Sequence, residues 1–373
     1  MVLTCIEFLR TQAGEEIPMG LNPASAKRLA FTSHEPIGLV LAYSAFNHPL
    51  NLIIHQIVPA IAVGCPIIIK PALDTPLTCF RLVELFHEAG LPPEYCQAIT
   101  LKDLDLATKL VSDQRIAFFS FIGSPAVGWM LRSKLAPGAR CALEHGGAAP
   151  VIFTEDADIE NAADGLVKGA FYHAGQVCVS VQRIFIHVHK IDFLSESITE
   201  AAKKLVIGDP IIETTEVGPL IRPREVDRVA EWVSNALNEG ARKTTGGNKI
   251  FESCYEPTVL LNPSVDSKVS KQEIFGPVVC LYSYTEIDKA IEQANSLPFS
   301  FQASVFSSDI DTISYCYKRL NASAVIANDH TAFRVDWMPF AGLKTSGLGT
   351  GGIPYTMRDL QTKKMLVIKS PKL

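Results

Sequence analysis

An α/β protein of two domains is the fold class this sequence predicts, and three observations predict it. The 373 residues exceed what one ordinary domain holds. Short apolar runs alternate with helical stretches along most of the chain, and strands separated by helices pair in parallel with both sheet faces covered. A content of 47% hydrophobic and 20% charged residues supplies the side chains for substantial cores.

Taken in order, GLVLAYS (38–44) reads as a strand, followed by a helical stretch from Pro49 to near Gly64. PIIIK (66–70) is a second strand. The next helix carries Thr75 as N-cap, Pro76 in its first turn and Gly90 at its stop. YCQAI (95–99), RIAFFSFIG (115–123) and ARCALE (139–144) complete a first set of strands, with a helix through VGWMLRSKL before the last. From Pro150 the order begins again. VIFT (151–154) is a strand, 158–175 has helical spacing with Asp158 placed to cap it, and RIFIHV (183–188) is a strand. Helices are expected over FLSESITEAAKKL, 223–238, 286–295 and 309–319, and strands at 257–261, 277–282, 301–306 and 324–328. Gly and Pro crowd 337–357. KKMLVIK (363–369) is a last strand without a local partner, of the kind that pairs elsewhere, including with another subunit.

Composition narrows the function classes. A formal net charge of −5 leaves no basic footprint for nucleic acid. The most apolar region, 37–69, is broken by Asn47, His48, Pro49, Asn51, His55 and Pro59, so no membrane span is expected. Nine scattered cysteines without a CxxC pair, behind an N-terminus with no apolar leader, predict reduced thiols and a cytoplasmic protein.

Several stretches could carry chemistry. GLGTGG (347–352) satisfies GxGxxG, but no apolar strand precedes it and Pro354 follows closely, so a glycine-rich surface loop is expected. SFIGSPAVG (120–128) runs a strand into Gly123 and opens a helix after Ser124, a context in which helix amides hold phosphate. Lys70 and Glu144 end strands, where open α/β sheets bind ligands; each also fits a solvated or ion-paired strand end. Asn47 fits either an N-cap or an amide facing an oxyanion. Cys178, in GQVCVSVQR, fits either a buried small hydrophobe or a nucleophile. His187 and His189 stand two apart on one strand face with no third ligand indicated, and no metal site is expected.

In order along the chain stand SAFNHP, IIIKPALDTPLT, FIGSPAVG, LEHGGAAP, GQVCVSVQR, QEIFGPVV and MPFAGLKTSGLG. Their order and spacing closely resemble the NAD(P)-dependent, non-acylating aldehyde dehydrogenase superfamily, from about residue 25 to the C-terminus. The resemblance implies a Rossmann-like NAD(P)-binding domain over 1–145, with an oligomerisation hairpin near 17–36. It implies a catalytic α/β domain over 146–336, and a return segment with an oligomerisation strand over 337–373, in a homodimer or homotetramer. Cys178 would be the nucleophile, passing through a thiohemiacetal and a thioester, Asn47 an oxyanion donor and Glu144 the base for hydrolysis. Lys70, Gly123, Ser124, Gly146, Glu273 and Phe275 would serve NAD or NADP, a choice that Leu73 and Asp74 leave open. The substrate would be a small aldehyde, with Arg183 or Arg334 available to an anionic group; each also fits a structural ion pair. The family carries further helical material before the strand at 38–44, so a truncated chain is expected. A catalytically impaired remnant acting as an assembly or binding partner is the alternative to an active enzyme.

Overall fold

The computed structural model describes residues 1–373. The chain divides into two compact units, one of Met1–Leu143, Val335–Pro339 and Gly349–Leu373, the other of Glu144–Arg334 and Phe340–Leu348.

In the first unit the strands Leu39–Tyr43, Ile67–Lys70, Cys96–Ala98, Ile116–Ile122 and Arg140–Glu144 stand in the spatial order third, second, first, fourth, fifth. The first four pair in parallel. This is the doubly wound order, and its direction reverses between Leu39–Tyr43 and Ile116–Ile122. Covering helices seal both faces because the strands are apolar on both: Val40, Leu41, Ala42, Ile67, Ile69, Phe118 and Phe119 are all nearly inaccessible. Helix Leu77–Glu88 starts two residues after Thr75, with Pro76 in the cap position, and stops as expected before Gly90 at φ +95°.

The last strand, Gln361–Lys369, does not lack a partner within the chain. It runs antiparallel along the whole of Arg28–Pro36, which also pairs with Glu16–Ile17. More than three hundred residues separate the two strands, so no local signal could join them. The GLGTGG stretch also differs from a surface loop. Gly351 and Gly352 are buried, and the short helix Ile353–Asp359 that follows drives Ile353 and Met357 into the core beside Ile57. Gly352 sits at φ +94°, and a Cβ there would lie 2.2 Å from the Met338 carbonyl oxygen.

The second unit is built on a seven-stranded sheet in the order Arg242–Thr245, Thr258–Leu261, Val278–Tyr284, Val181–His187, Ala149–Phe153, Gln302–Phe306, Ala324–Ala327. Only the first pair is antiparallel. Its core is continuous from Val151 through Phe185 and Leu281 to Val305. The helix expected over 158–175 is shorter, Ala163–Phe171. Asp158 instead closes a preceding turn by accepting from the Glu160 amide at 2.9 Å.

Ile57 is fully buried on helix Asn51–Ala62, whereas Leu85 on helix Leu77–Glu88 is 45% exposed. Ile57→Ala is expected to cost about 2–5 kcal/mol of unfolding free energy in urea titrations, and Leu85→Ala less than about 1 kcal/mol.

Candidate active site

Cys178 follows a strained turn. His173, Ala174 and Gly175 all have positive φ, at 52°, 54° and 70°, so three successive residues sit in left-handed space that only glycine adopts cheaply. Gly175 presses on the loop 273–277, where a Cβ would lie 2.2 Å from the Gly276 carbonyl oxygen. The turn then closes with the Ser180 amide donating to Val177 at 3.0 Å, and Thr331 Oγ1 donates to the Val179 carbonyl at 2.7 Å. Cys178 is held at the edge of an apolar wall of Val177, Val179, Phe301 and Phe340, beside Tyr172. It keeps partial solvent exposure, unlike most of the other cysteines.

Three charged groups of the same unit act on that sulfur. Burial, then the Glu144 carboxylate, push the Cys178 thiol up to about 12; Arg334 opposes them and Glu273 adds to them. Burial also raises Glu144, again against Arg334. Glu273 is pushed up to about 8 by burial, although it accepts from the Gly147 backbone. Two carboxyl groups and a thiol thus share one poorly solvated region, opposed by Arg334 at Cys178 and Glu144 and by Arg228 at Glu273. At neutral pH the sulfur is therefore a thiol, with the Glu144 carboxyl group within electrostatic reach.

Arg334 stacks at 3.9 Å over the Phe340 ring, and its Nε is buried without a hydrogen-bond partner. Such an unmade bond is costly unless something supplies an acceptor. Arg183 is a different case, and the structure corrects the expectation that it serves an anionic substrate. It is 4% exposed, and its guanidinium donates to the carbonyls of Ala148, Gln293 and Ala294 at 3.1, 3.2 and 3.0 Å. It ties the C-terminal end of helix Ile287–Asn295 to the strand start at Ala149. Burial lowers its pKa to about 10, which still leaves it charged at neutral pH.

Gly146 has no room for a side chain, since a Cβ would lie 1.6 Å from Glu273 Oε1, itself buried without a hydrogen-bond partner. Phe275 holds φ +47°, a strained value for an aromatic residue. In the first unit, Lys70 ends its strand with Nζ 5.4 Å from the centre of the Tyr43 ring, its pKa lowered by burial. Ser44, one residue beyond the neighbouring strand, has a buried Oγ without a hydrogen-bond partner. Gly123 and Ser124 stand between strand Ile116–Ile122 and helix Pro125–Arg132, where the Ser124 side chain makes no capping bond. Asn47 lies between Leu39–Tyr43 and helix Asn51–Ala62. The sheet therefore gathers Lys70, Gly123, Ser124 and Asn47 at the carboxyl ends of its parallel strands, beside the reversal in strand order. Within the first unit, the spare Ser44 Oγ and the Lys70 ammonium at those strand ends are donors that fit the oxygens of a dinucleotide.

Sequence reading missed the residues that hold this machinery. Gln182 donates through Nε2 to Val269 and Gln272 at 3.1 and 2.7 Å, and its Oε1 accepts from the Ile274 amide at 2.9 Å. Arg228 donates to the Ile274 carbonyl at 2.8 Å. Ser346 accepts from the Ser300 amide and donates to the Gly146 carbonyl, both at 2.9 Å. The only sequence signal for Gln182 was a polar residue inside an apolar strand.

The chain belongs to the aldehyde dehydrogenase family, which matches residues 2–366. It is accordingly an NAD(P)-dependent enzyme that oxidises an aldehyde to a carboxylic acid. It is 39% identical over 355 residues to a 3-sulfolactaldehyde dehydrogenase of Priestia aryabhattai, covering 95% of this chain and 74% of that one. With a lactaldehyde dehydrogenase of Methanococcus vannielii it shares 35% over 365 residues, 97% of this chain and 77% of the other. Among solved structures, aldehyde dehydrogenase 21 of Physcomitrella patens, in complex with the reaction product succinate, superposes with a TM-score of 0.94 at 34% identity, covering 98% and 76% of the two chains. The NADP complex of a glyceraldehyde-3-phosphate dehydrogenase of Methanocaldococcus jannaschii gives 0.93 at 34%, covering 98% and 79%.

Gln182→Ala strips the bonds that shape 269–274 and leaves buried groups unpaired, an expected loss of about 1–3 kcal/mol of stability. Steady-state kinetics should show KM for the cofactor rising by a larger factor than KM for the aldehyde. An equal change in both would mean the loop does not depend on this amide.

Proposed function

We propose that this enzyme oxidises a small aldehyde bearing an anionic group, with Cys178 as nucleophile, Glu144 as base and Arg334 as the anion's counter-charge. The observation that carries the reading is the placement of the Cys178 thiol among Glu144, Glu273 and one incompletely bonded guanidinium.

Glu144 accepts the thiol proton as Sγ attacks the aldehyde carbon, so neither step creates a second buried anion. The oxyanion of the thiohemiacetal is held by the Cys178 backbone N–H and the Asn47 amide. Lys70, Gly123, Ser124, Gly146, Glu273 and Phe275 would hold NAD or NADP, which when bound would supply the hydride acceptor needed for the Cys178 thiohemiacetal to become a thioester. Glu144, having released its proton to solvent, takes one from water as that water attacks the thioester carbon. The C–S bond breaks, and the proton returns to the Cys178 sulfur as the acid departs. Arg334 favours the anionic forms of Cys178 and Glu144 and offers its spare donors to a carboxylate, sulfonate or phosphate. Several relatives are described as acting on such compounds, 3-sulfolactaldehyde, aspartate semialdehyde and sulfoacetaldehyde among them.

We assign cofactor binding to the first unit's doubly wound sheet and catalysis to the second unit. We also propose a homodimer or homotetramer formed through the three-stranded sheet, whose terminal strand exposes Met365, Leu366, Val367 and Ile368. No helix is long and apolar enough to cross a membrane, and all nine cysteines are unpaired, in keeping with a reducing cytoplasmic setting.

The purified chain, offered propanal, lactaldehyde, succinic semialdehyde and 3-sulfolactaldehyde with each cofactor, is expected to raise absorbance of the reduced nicotinamide most with the anionic compounds. Cys178→Ser should abolish that signal while cofactor binding persists; turnover by this variant would end the assignment. Arg334→Gln should lower kcat/KM for the anionic aldehydes relative to propanal by about 10- to 100-fold, the worth of a charge-assisted hydrogen bond. An unchanged ratio would remove Arg334 from substrate recognition.

A further inference from the structure

We infer that Glu155, His187 and His189 form a surface site for a single borderline transition-metal cation, zinc being the natural occupant. The expectation of no metal site rested on two histidines without a third ligand, and parallel pairing brings that ligand. Strand Ala149–Phe153 runs beside Val181–His187 with Phe153 opposite Ile186. Two residues further on, Glu155 comes level with the turn at 188, flanked by a histidine on either side. His189 lies on the turn beyond the strand, which the Lys190 amide closes by donating to the His187 carbonyl at 2.8 Å.

The three side chains converge. Their nearest ligand atoms all lie within 4.8 Å of one another. His189 Nδ1 is 2.7 Å from Glu155 Oε1, and the two imidazole rings are 4.9 Å apart at 83°. His187 Nδ1 has only a long contact, 3.4 Å, from the His189 amide to give up. Two imidazoles and one carboxylate suit zinc, leaving water in the fourth position, whereas magnesium and calcium prefer all-oxygen sets. Glu155 and His189 are exposed, so the cation enters without unfolding. Lys190 is the nearby cation, acting on Glu155 across solvent.

This site stands apart from the chemistry. Cys178 precedes the start of strand Val181–His187 and the site occupies its far end, a span of roughly 20 Å at the usual rise per residue. Cation binding there clips two loops together and leaves the thiol alone.

The test is calorimetric titration of ZnCl2 into the untagged chain carrying Cys178→Ser, which removes that partly exposed thiol as a competing ligand. One equivalent is expected to bind, with a rise in melting temperature, and MgCl2 should give neither. Glu155→Gln and His189→Ala, both at exposed positions, should each weaken zinc binding by about tenfold or more. Both variants titrating like the parent, or no saturable binding at all, would overturn the site.

Discussion

One constraint organises the second unit: a thiol and two carboxyl groups are kept together where water solvates them poorly. Left alone, such a cluster would hold on to its protons, and burial does raise all three groups. Arg334 is the counterweight for Cys178 and Glu144, and Arg228 for Glu273.

The backbone around them is strained. Three left-handed residues aim the Cys178 turn, and the glycine among them allows the backbone to touch Gly276. The same loop is gripped from its other side by Gln182, on the strand that begins just after Cys178, and by Arg228. The Cys178 turn and the loop of Glu273 and Phe275 are therefore packed together as one piece. Ser346 extends the piece to Gly146, and Gly146 in turn bears on the Glu273 carboxylate. A buried arginine, Arg183, anchors the strand start at Ala149 by satisfying carbonyls that a helix end leaves open.

Much of the architecture was legible in advance because it rests on local periodicity. Helix Pro223–Asn238 lies where its apolar spacing put it, and each strand read from an apolar run falls within a residue or two of it, whereas Arg242–Thr245, which has no such run, was missed. Where reading failed, a distant partner was responsible. The strand Gln361–Lys369 found Arg28–Pro36, and the GLGTGG stretch was drawn inward by Ile353 and Met357. Arg183 looked available because a sequence cannot display the carbonyls that would surround its side chain.

By itself, then, the sequence determined the α/β class and the family, and it supplied the residues on which the proposed chemistry rests. These follow from hydrophobic period and from motif chemistry, which are properties of neighbours along the chain. The tertiary structure alone decided which polar side chains are spent and which remain available. It bonded Arg183 and left Arg334 short of a partner; it also set Glu155 between two histidines. Hydrogen-bond satisfaction and burial depend on atoms brought in from far along the chain, and only folding reveals them.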